Sequence, residues 1–213
     1  MRALQAVTKA MEAKPRCFGE GDSLLAEYHD NEWGRPVRDS RALFERLSLE
    51  AFQSGLSWRV ILAKRPAFRQ AFAEFEPETV AGFGPADIER LLADEGIVRN
   101  RRKIEAIINN AQALLQMQAT GELFGQFLWT FTGGQTLRRD PRPDHWSQIP
   151  SSSPESAAMA KALKARGFRH IGPTTCYALM EATGMVDDHL ARCFLAGQDR
   201  LEQREADDGA SNR

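Results

Sequence analysis

From Leu43 to Trp58 the chain reads LFERLSLEAFQSGLSW, and Leu43, Leu47, Ser54 and Trp58 recur at helical spacing. Glu50 lies on the same stripe. A carboxylate on the core-facing side of a helix is costly to bury unless it is paired or does chemistry. This segment therefore constrains fold and function together: a helix that packs inward and carries one charge inward with it. The rest of the chain keeps the helical period. Nothing alternates polar and apolar over a useful length, so the fold is predicted to be all-α.

In chain order, Asp39 or Ser40 is placed to cap the helix that carries Glu50, and Gly55 loosens its end before Trp58. A second helix is predicted over 59–75, kinked or divided at Pro66, and a third over 85–92, opened by Pro85. Residues 101–118 predict a long helix with Ile104, Ile107, Ile108, Ala111, Leu114 and Leu115 on one side. A short aromatic-rich helix is predicted over 124–131. Between Thr132 and Ser153, Gly, Pro, Arg and Ser dominate without periodicity, which predicts a loop of about twenty residues. Ser152 or Ser153 then caps a helix with Pro154 in its first turn. Residues 1–15 read as an extension and 197–213 as a charged, disordered tail, which leaves 16–196 as one domain.

The 213 residues carry 28 Lys and Arg against 29 Asp and Glu. From Asp199 onward five acidic residues stand against three basic ones, so the rest of the chain is near neutral. Any nucleic-acid surface must then be local. Two basic clusters qualify, one at Arg99, Arg101, Arg102 and Lys103, the other at Lys161, Lys164, Arg166 and Arg169; on composition either is also consistent with a solvated helix face. No apolar run approaches the roughly 20 residues of a membrane span. Residues 1–15 have no apolar core of signal-peptide type, so a cytoplasmic protein is expected. Three cysteines in such a chain argue against a disulfide framework and leave metal binding, catalysis or burial.

Near the C-terminus a helix ends at Gly167, a tight turn follows, and Gly172-Pro173 opens the next helix; the pattern resembles the helix–hairpin–helix motif of DNA repair proteins. Its physics suits a phosphate. Backbone N–H groups at the helix start point outward, Gly172 permits close approach, and Lys164, Arg166 and Arg169 add positive charge. Cys17 and His29 near one end, with His189 and Cys193 near the other, form a set of four metal-ligand candidates. The i, i+4 spacing of His189 and Cys193 would put both on one helix face. Two cysteines and two histidines make a closed zinc set, which implies a structural staple between the chain's two ends. Cys176 is expected to be buried packing.

Together these motifs resemble the bacterial 3-methyladenine DNA glycosylase I family, the zinc-containing members of the helix–hairpin–helix glycosylase superfamily. The resemblance covers roughly residues 16–195 and is carried by Tyr28-His29-Asp30-Asn31-Glu32-Trp33-Gly34, Gly55-Leu56-Ser57-Trp58, Gly167 through Gly172, and Val186-Asp187-Asp188-His189. It implies two helical lobes around a base-binding cleft and a monofunctional hydrolase that flips an alkylated base out of double-stranded DNA. By resemblance, Glu50 and Tyr28 hydrogen-bond the base, Trp58 stacks on it, and Trp33 lines or underlies the pocket. The zinc ligands would be Cys17, His29, His189 and Cys193, the hairpin residues Gly167, Gly172 and Thr174 would meet DNA, and the protein would act as a monomer. Because 3-methyladenine is cationic within the nucleotide, a buried carboxylate and an aromatic face both favour it over neutral adenine.

The chain departs from the family at two places, and a third comparison, with bifunctional relatives, is also informative. Where the family has Cys-Gly-Trp, this sequence has Cys17-Phe18-Gly19, so Phe18 is the candidate replacement for a pocket ring. Glycosylase I proteins usually carry Asn where this chain has Asp187; the wider superfamily has a catalytic aspartate there, so Asp187 is expected to assist hydrolysis. Bifunctional relatives place a lysine nucleophile where this chain has Thr174. Two alternatives stand beside the leading reading: a damaged-DNA-binding protein of the same fold without turnover or with altered specificity, and a zinc hydrolase, which would need an open coordination position.

Overall fold

The computed structural model describes residues 14–198, so the extension and the charged tail lie almost wholly outside the described residues. Within them are nine α-helices: α1 (Ser23–Asn31), α2 (Ser40–Gln53), α3 (Trp58–Ala71), α4 (Pro77–Ala81), α5 (Pro85–Ala93), α6 (Arg101–Ala119), α7 (Phe124–Trp129), α8 (Pro154–Ala165) and α9 (Pro173–Ala182). The departure from an all-α plan is small: β1 (Leu137–Arg138) pairs in parallel with β2 (Val186–Asp187).

The caps explain several helix starts. Asp39 accepts from the Ala42 N–H at 2.7 Å to open α2, Asn100 accepts from Lys103 to open α6, and Ser153 accepts from Ser156 to open α8. Pro66 lies within α3 without dividing it, but that helix stops at Ala71, short of the predicted 75. The chain there turns through three left-handed residues, Ala73, Glu74 and Phe75, which brings the Phe75 ring parallel to Phe72 at 5.5 Å. The predicted helix over 124–131 becomes a 3-10 turn after Trp129.

One expectation is corrected. His189 and Cys193 do not share a helix face, because 188–198 is a run of turns. Backbone N–H groups that a helix would use are directed elsewhere: His189 donates to the Asp187 carboxylate and Leu190 to the Cys17 sulfur.

Two apolar clusters organise the interior. The larger is built on α2, α4, α6 and α9 and includes Leu43, Phe44, Leu47, Phe52, Phe72, Leu114 and Leu179. The smaller surrounds Cys17, Tyr28, Trp33, Leu190 and Cys193. Trp58 packs against both, at the seam where the site opens.

The hairpin is built as the sequence suggests. Gly167 ends α8 at φ +86°, a conformation few L side chains adopt, and the Gly167 and Phe168 N–H groups reach back to Lys164 and Leu163. Among the described residues nothing lies within 4 Å of where a Cβ on Gly172 would stand, so their packing does not demand glycine there. The turn is pinned to α6 by Asn110, a buried amide that accepts from the Arg169 N–H at 2.7 Å and donates to its carbonyl at 3.1 Å. Asn110→Ala removes both bonds and strands two backbone groups, so we expect about 2–3 kcal/mol of destabilisation. Thermal melts should show this as a fall of about 4–10 °C.

Candidate active site

A cavity of about 330 Å³ lies between α1, the α2–α3 turn and α9, and its walls include Phe18, Tyr28, Trp33, Glu50, Gln53, Trp58 and Glu181. The sequence-predicted base-binding residues thus share one cavity. Helical spacing explains part of this: Tyr28 and Glu50 point inward from their own helices, and Trp58 begins α3. The Tyr28 and Trp58 rings stand 5.3 Å apart, and the Trp58 Nε1 is buried without a hydrogen-bond partner among the described residues. Phe18 takes the position of a pocket ring, 5.2 Å from Trp33 and 6.3 Å from Tyr28. Trp33 serves the pocket and also packs outward, with its ring 4.6 Å from His189.

Glu50 is 7% exposed, and no protein group among the described residues hydrogen-bonds its carboxyl. Burial pushes it up to about 8, against a smaller downward pull from Arg46. Arg46 cannot neutralise it fully, because it already donates to Glu32 at 2.6 Å and lies over the Tyr28 ring. Glu32 also takes two bonds from Arg65; burial opposes its charge, yet Arg65 and Arg46 hold it down to about 2. The pocket floor therefore carries an ion cluster of Glu32, Arg46 and Arg65, and the Glu50 carboxyl beside it faces the cavity outside those pairs.

Behind Trp33, the buried Cys17 Sγ, Cys193 Sγ and a His29 ring nitrogen lie within 4.8 Å of one another. They join the two ends of the described chain, and such a group can hold a metal ion. The fourth predicted ligand, His189, stands with its ring 5.5 Å from that of His29, and its Nε2 is buried with no partner among the described residues. The outer ring nitrogens are both oriented. His29 Nδ1 lies 2.9 Å from Asp30, which Arg16 grips with two bonds, and His189 Nδ1 lies 2.9 Å from Asp187. Carboxylates that fix the Nδ1 proton leave each Nε2 as the atom that can ligate a metal, although the His29 Nε2 here accepts from the Cys17 N–H at 3.2 Å. Hydrogen bonds from Cys17 and His29 pull the Cys193 thiol down despite its burial. The residues fit a metal.

Asp187 does not line the Glu50 cavity. Its carboxylate is engaged by His189 and by Arg142 at 2.8 and 3.2 Å, and it faces a smaller space beside Gly34, Thr136 and Leu195. Asp188 bonds Tyr177 and Arg139. The 132–153 loop therefore has a structural purpose: Arg139 and Arg142 hold these two aspartates, and Trp146 donates to the Cys17 carbonyl at 2.9 Å. On the hairpin face Lys164, Arg169 and Thr174 are exposed, while Arg166 is drawn aside into a two-bond pair with Glu122.

Sequence reasoning missed Arg46, Glu32 and Arg65, whose pairing spans distant segments, and Glu181. The last had a legible signal: it follows Tyr177 by one turn among buried α9 positions, the same irregularity that marked Glu50.

An aromatic pocket with a buried carboxyl thus stands in a helical fold that also carries a hairpin corner and a cysteine–histidine group able to hold a metal, the arrangement of a DNA base glycosylase. Residues 18–196 match the methyladenine glycosylase family. The chain belongs to that family. It is 48% identical over 172 residues to DNA-3-methyladenine glycosylase 1 of Escherichia coli strain K12, covering 81% of this chain and 91% of that one. A crystal structure of a 3-methyladenine DNA glycosylase I superposes with a TM-score of 0.82 at 48% identity, over 84% of this chain and 98% of the other. A Staphylococcus aureus 3-methyladenine DNA glycosylase I, solved to explain its 3-methyladenine recognition, gives 0.79 at 40% identity over 86% and 97%.

Proposed function

We propose that this protein is a monofunctional glycosylase that removes 3-methyladenine from alkylated duplex DNA, the base-releasing step of base excision repair. The observation that carries the site assignment is the Glu50 carboxyl, buried in the cavity with Tyr28 and Trp58 and without a hydrogen-bond partner among the described residues. An enzyme acting on a duplex base must extrude it into a pocket. The incoming base is cationic, and its charge supplies what the Glu50 carboxyl lacks. Glu50 gives up its proton as the cation arrives, Tyr28 offers its hydroxyl, and Trp58 and Phe18 present ring faces.

The bond between the sugar C1′ and the base nitrogen then breaks with its electron pair going to the base, which leaves as neutral 3-methyladenine, while water adds at C1′ and loses a proton. The cationic base is already a good leaving group, so selective binding replaces strong acid catalysis. Lys164 and Arg169, with the open turn from Gly167 to Gly172 and the Thr174 N–H, hold the phosphates, and Arg166 supports them from behind. Thr174 offers no amine for a covalent sugar adduct.

Zinc is the metal that suits two cysteines and two histidines, held by Cys17, His29, Cys193 and His189. Bound there it cross-links the chain's ends, and Asp187 positions the His189 ring. The single domain over 16–196 acts as a monomer in the cytoplasm; no helix among the described residues is long and apolar enough to cross a membrane.

Chromatography of bases released from methylated duplex DNA tests this reading. Free 3-methyladenine should appear with no borohydride-trappable protein–DNA adduct. Binding to methylated duplex without base release would identify a damage-binding protein, and a trapped adduct would overturn the monofunctional assignment.

A further inference from the structure

The cavity has a second carboxyl. Glu181, on the last turn of α9, lines it together with Glu50 on α2, and no hydrogen bond to its side chain exists among the described residues. Nothing in the ion cluster around Glu32 reaches it, so two carboxyls and one set of aromatic rings face the same small space. A monocationic base can neutralise one carboxylate, not two. In a confined site of low polarizability, like charges of this kind keep one proton between them.

We propose that Glu181 is a second base-contacting residue which, paired across the pocket with Glu50, donates a hydrogen bond from its protonated carboxyl to a ring nitrogen of the extruded base. The inference rests on the reading of the cavity as the alkylated-base pocket. The division of labour follows from the surroundings of each group. Arg46 lies one helical turn before Glu50 and favours its ionised form. Glu181 is held up to about 8 by burial, then by the Asp188 and Glu50 charges, and Arg139 opposes this only weakly. The remaining titratable group at the pocket, Tyr28, is pushed up by burial and stays a neutral hydroxyl. Arg59, on the rim, is already bonded to Asp22.

The two carboxyls therefore do different work. Glu50 takes the negative charge that meets the cation. Glu181 keeps its proton and reads a lone pair, which selects for a base edge with an acceptor at that position and against cations that lack one. Raising the pH until Glu181 also ionises turns its donor into a second acceptor, which repels the lone pair it had bound.

Single-turnover release of 3-methyladenine, followed as kcat/KM from pH 5 to 10 in wild type, Glu181→Gln and Glu181→Ala, tests the proposal. Wild type should give a bell, its two limbs belonging to the Glu50–Glu181 pair jointly. Glu181→Gln keeps an N–H donor that cannot ionise, so it should stay within about threefold of wild type at neutral pH and lose the alkaline limb. Glu181→Ala should fall about tenfold, the size of one hydrogen bond to substrate. The proposal fails if Glu181→Ala matches wild type across the range, or if Glu181→Gln falls as far as alanine or keeps the alkaline limb. Absence of 3-methyladenine release by wild type would instead defeat the underlying reading of the pocket.

Discussion

Glu50→Gln is expected to lower single-turnover excision of 3-methyladenine by about 10²–10³-fold, the scale of loss when one preorganised polar group is removed from an active site. The same substitution should leave the fold intact and raise its thermal stability at alkaline pH. Glu50 is buried without a hydrogen-bond partner among the described residues, so its ionised form destabilises the folded chain. Its folded-state pKa of about 8 lies above the ordinary 4.5, so the folded protein binds this proton more tightly than the unfolded chain does. The resulting stabilisation is complete below pH 4.5 and is lost as pH rises through 8. At about 1.4 kcal/mol per pKa unit, the swing is on the order of a few kcal/mol. Glutamine cannot ionise and escapes it. Melting temperatures of wild type and Glu50→Gln, compared between pH 5 and 9, should therefore diverge toward alkaline pH with the variant higher. A variant that melts lower throughout would show that Glu50 supports the fold rather than the chemistry. Such an exchange of stability for activity is common where a site holds an uncompensated group.

Metal removal should have the largest effect on stability. Elemental analysis should find one zinc per chain, and stripping it with a strong chelator should lower the melting temperature by about 10 °C or more. That figure corresponds to a loss of about 3–5 kcal/mol at about 2–4 °C per kcal/mol. Cys193→Ser should reproduce the loss, because Cys193 closes the group from the C-terminal side. Asp187→Asn should fall between wild type and Cys193→Ser in metal retention, since it disturbs the partner of the His189 ring and not a ligand. If Asp187→Asn retains metal fully yet abolishes base release, the aspartate acts at the sugar instead.

The helices were legible because their apolar spacing and caps are local properties. Asp39, Ser153 and Pro85 announce helix starts within four residues of themselves. The pocket was partly legible for the same reason: Glu50 stands out on its own helix, and the resemblance to a known family placed Tyr28 and Trp58 beside it. What stayed hidden depends on distant parts of the chain. Glu32 is neutralised by arginines fourteen and thirty-three residues away, and no local pattern signals that cluster. The 189–193 spacing suggested a helix, but the competing acceptors, the Asp187 carboxylate and the Cys17 sulfur, come from outside the segment's own period. The apparently structureless 132–153 loop earned its arginines through aspartates about forty-five residues later.

The clasp between Cys17 and Cys193 also sets a schedule for the working protein. Phe18, one wall of the pocket, follows directly on the first ligand, whereas the last ligand is among the final described residues to leave the ribosome. A nascent chain can cap α2 at Asp39 early, but the ligand group beside Phe18 stays open until Cys193 has been made. An incomplete chain thus exposes a half-walled pocket whose Phe18 ring is not yet fixed beside Tyr28 and Trp33. Competence to break bonds in DNA arrives only with synthesis of the closing ligand, so prematurely terminated products should be inert toward DNA.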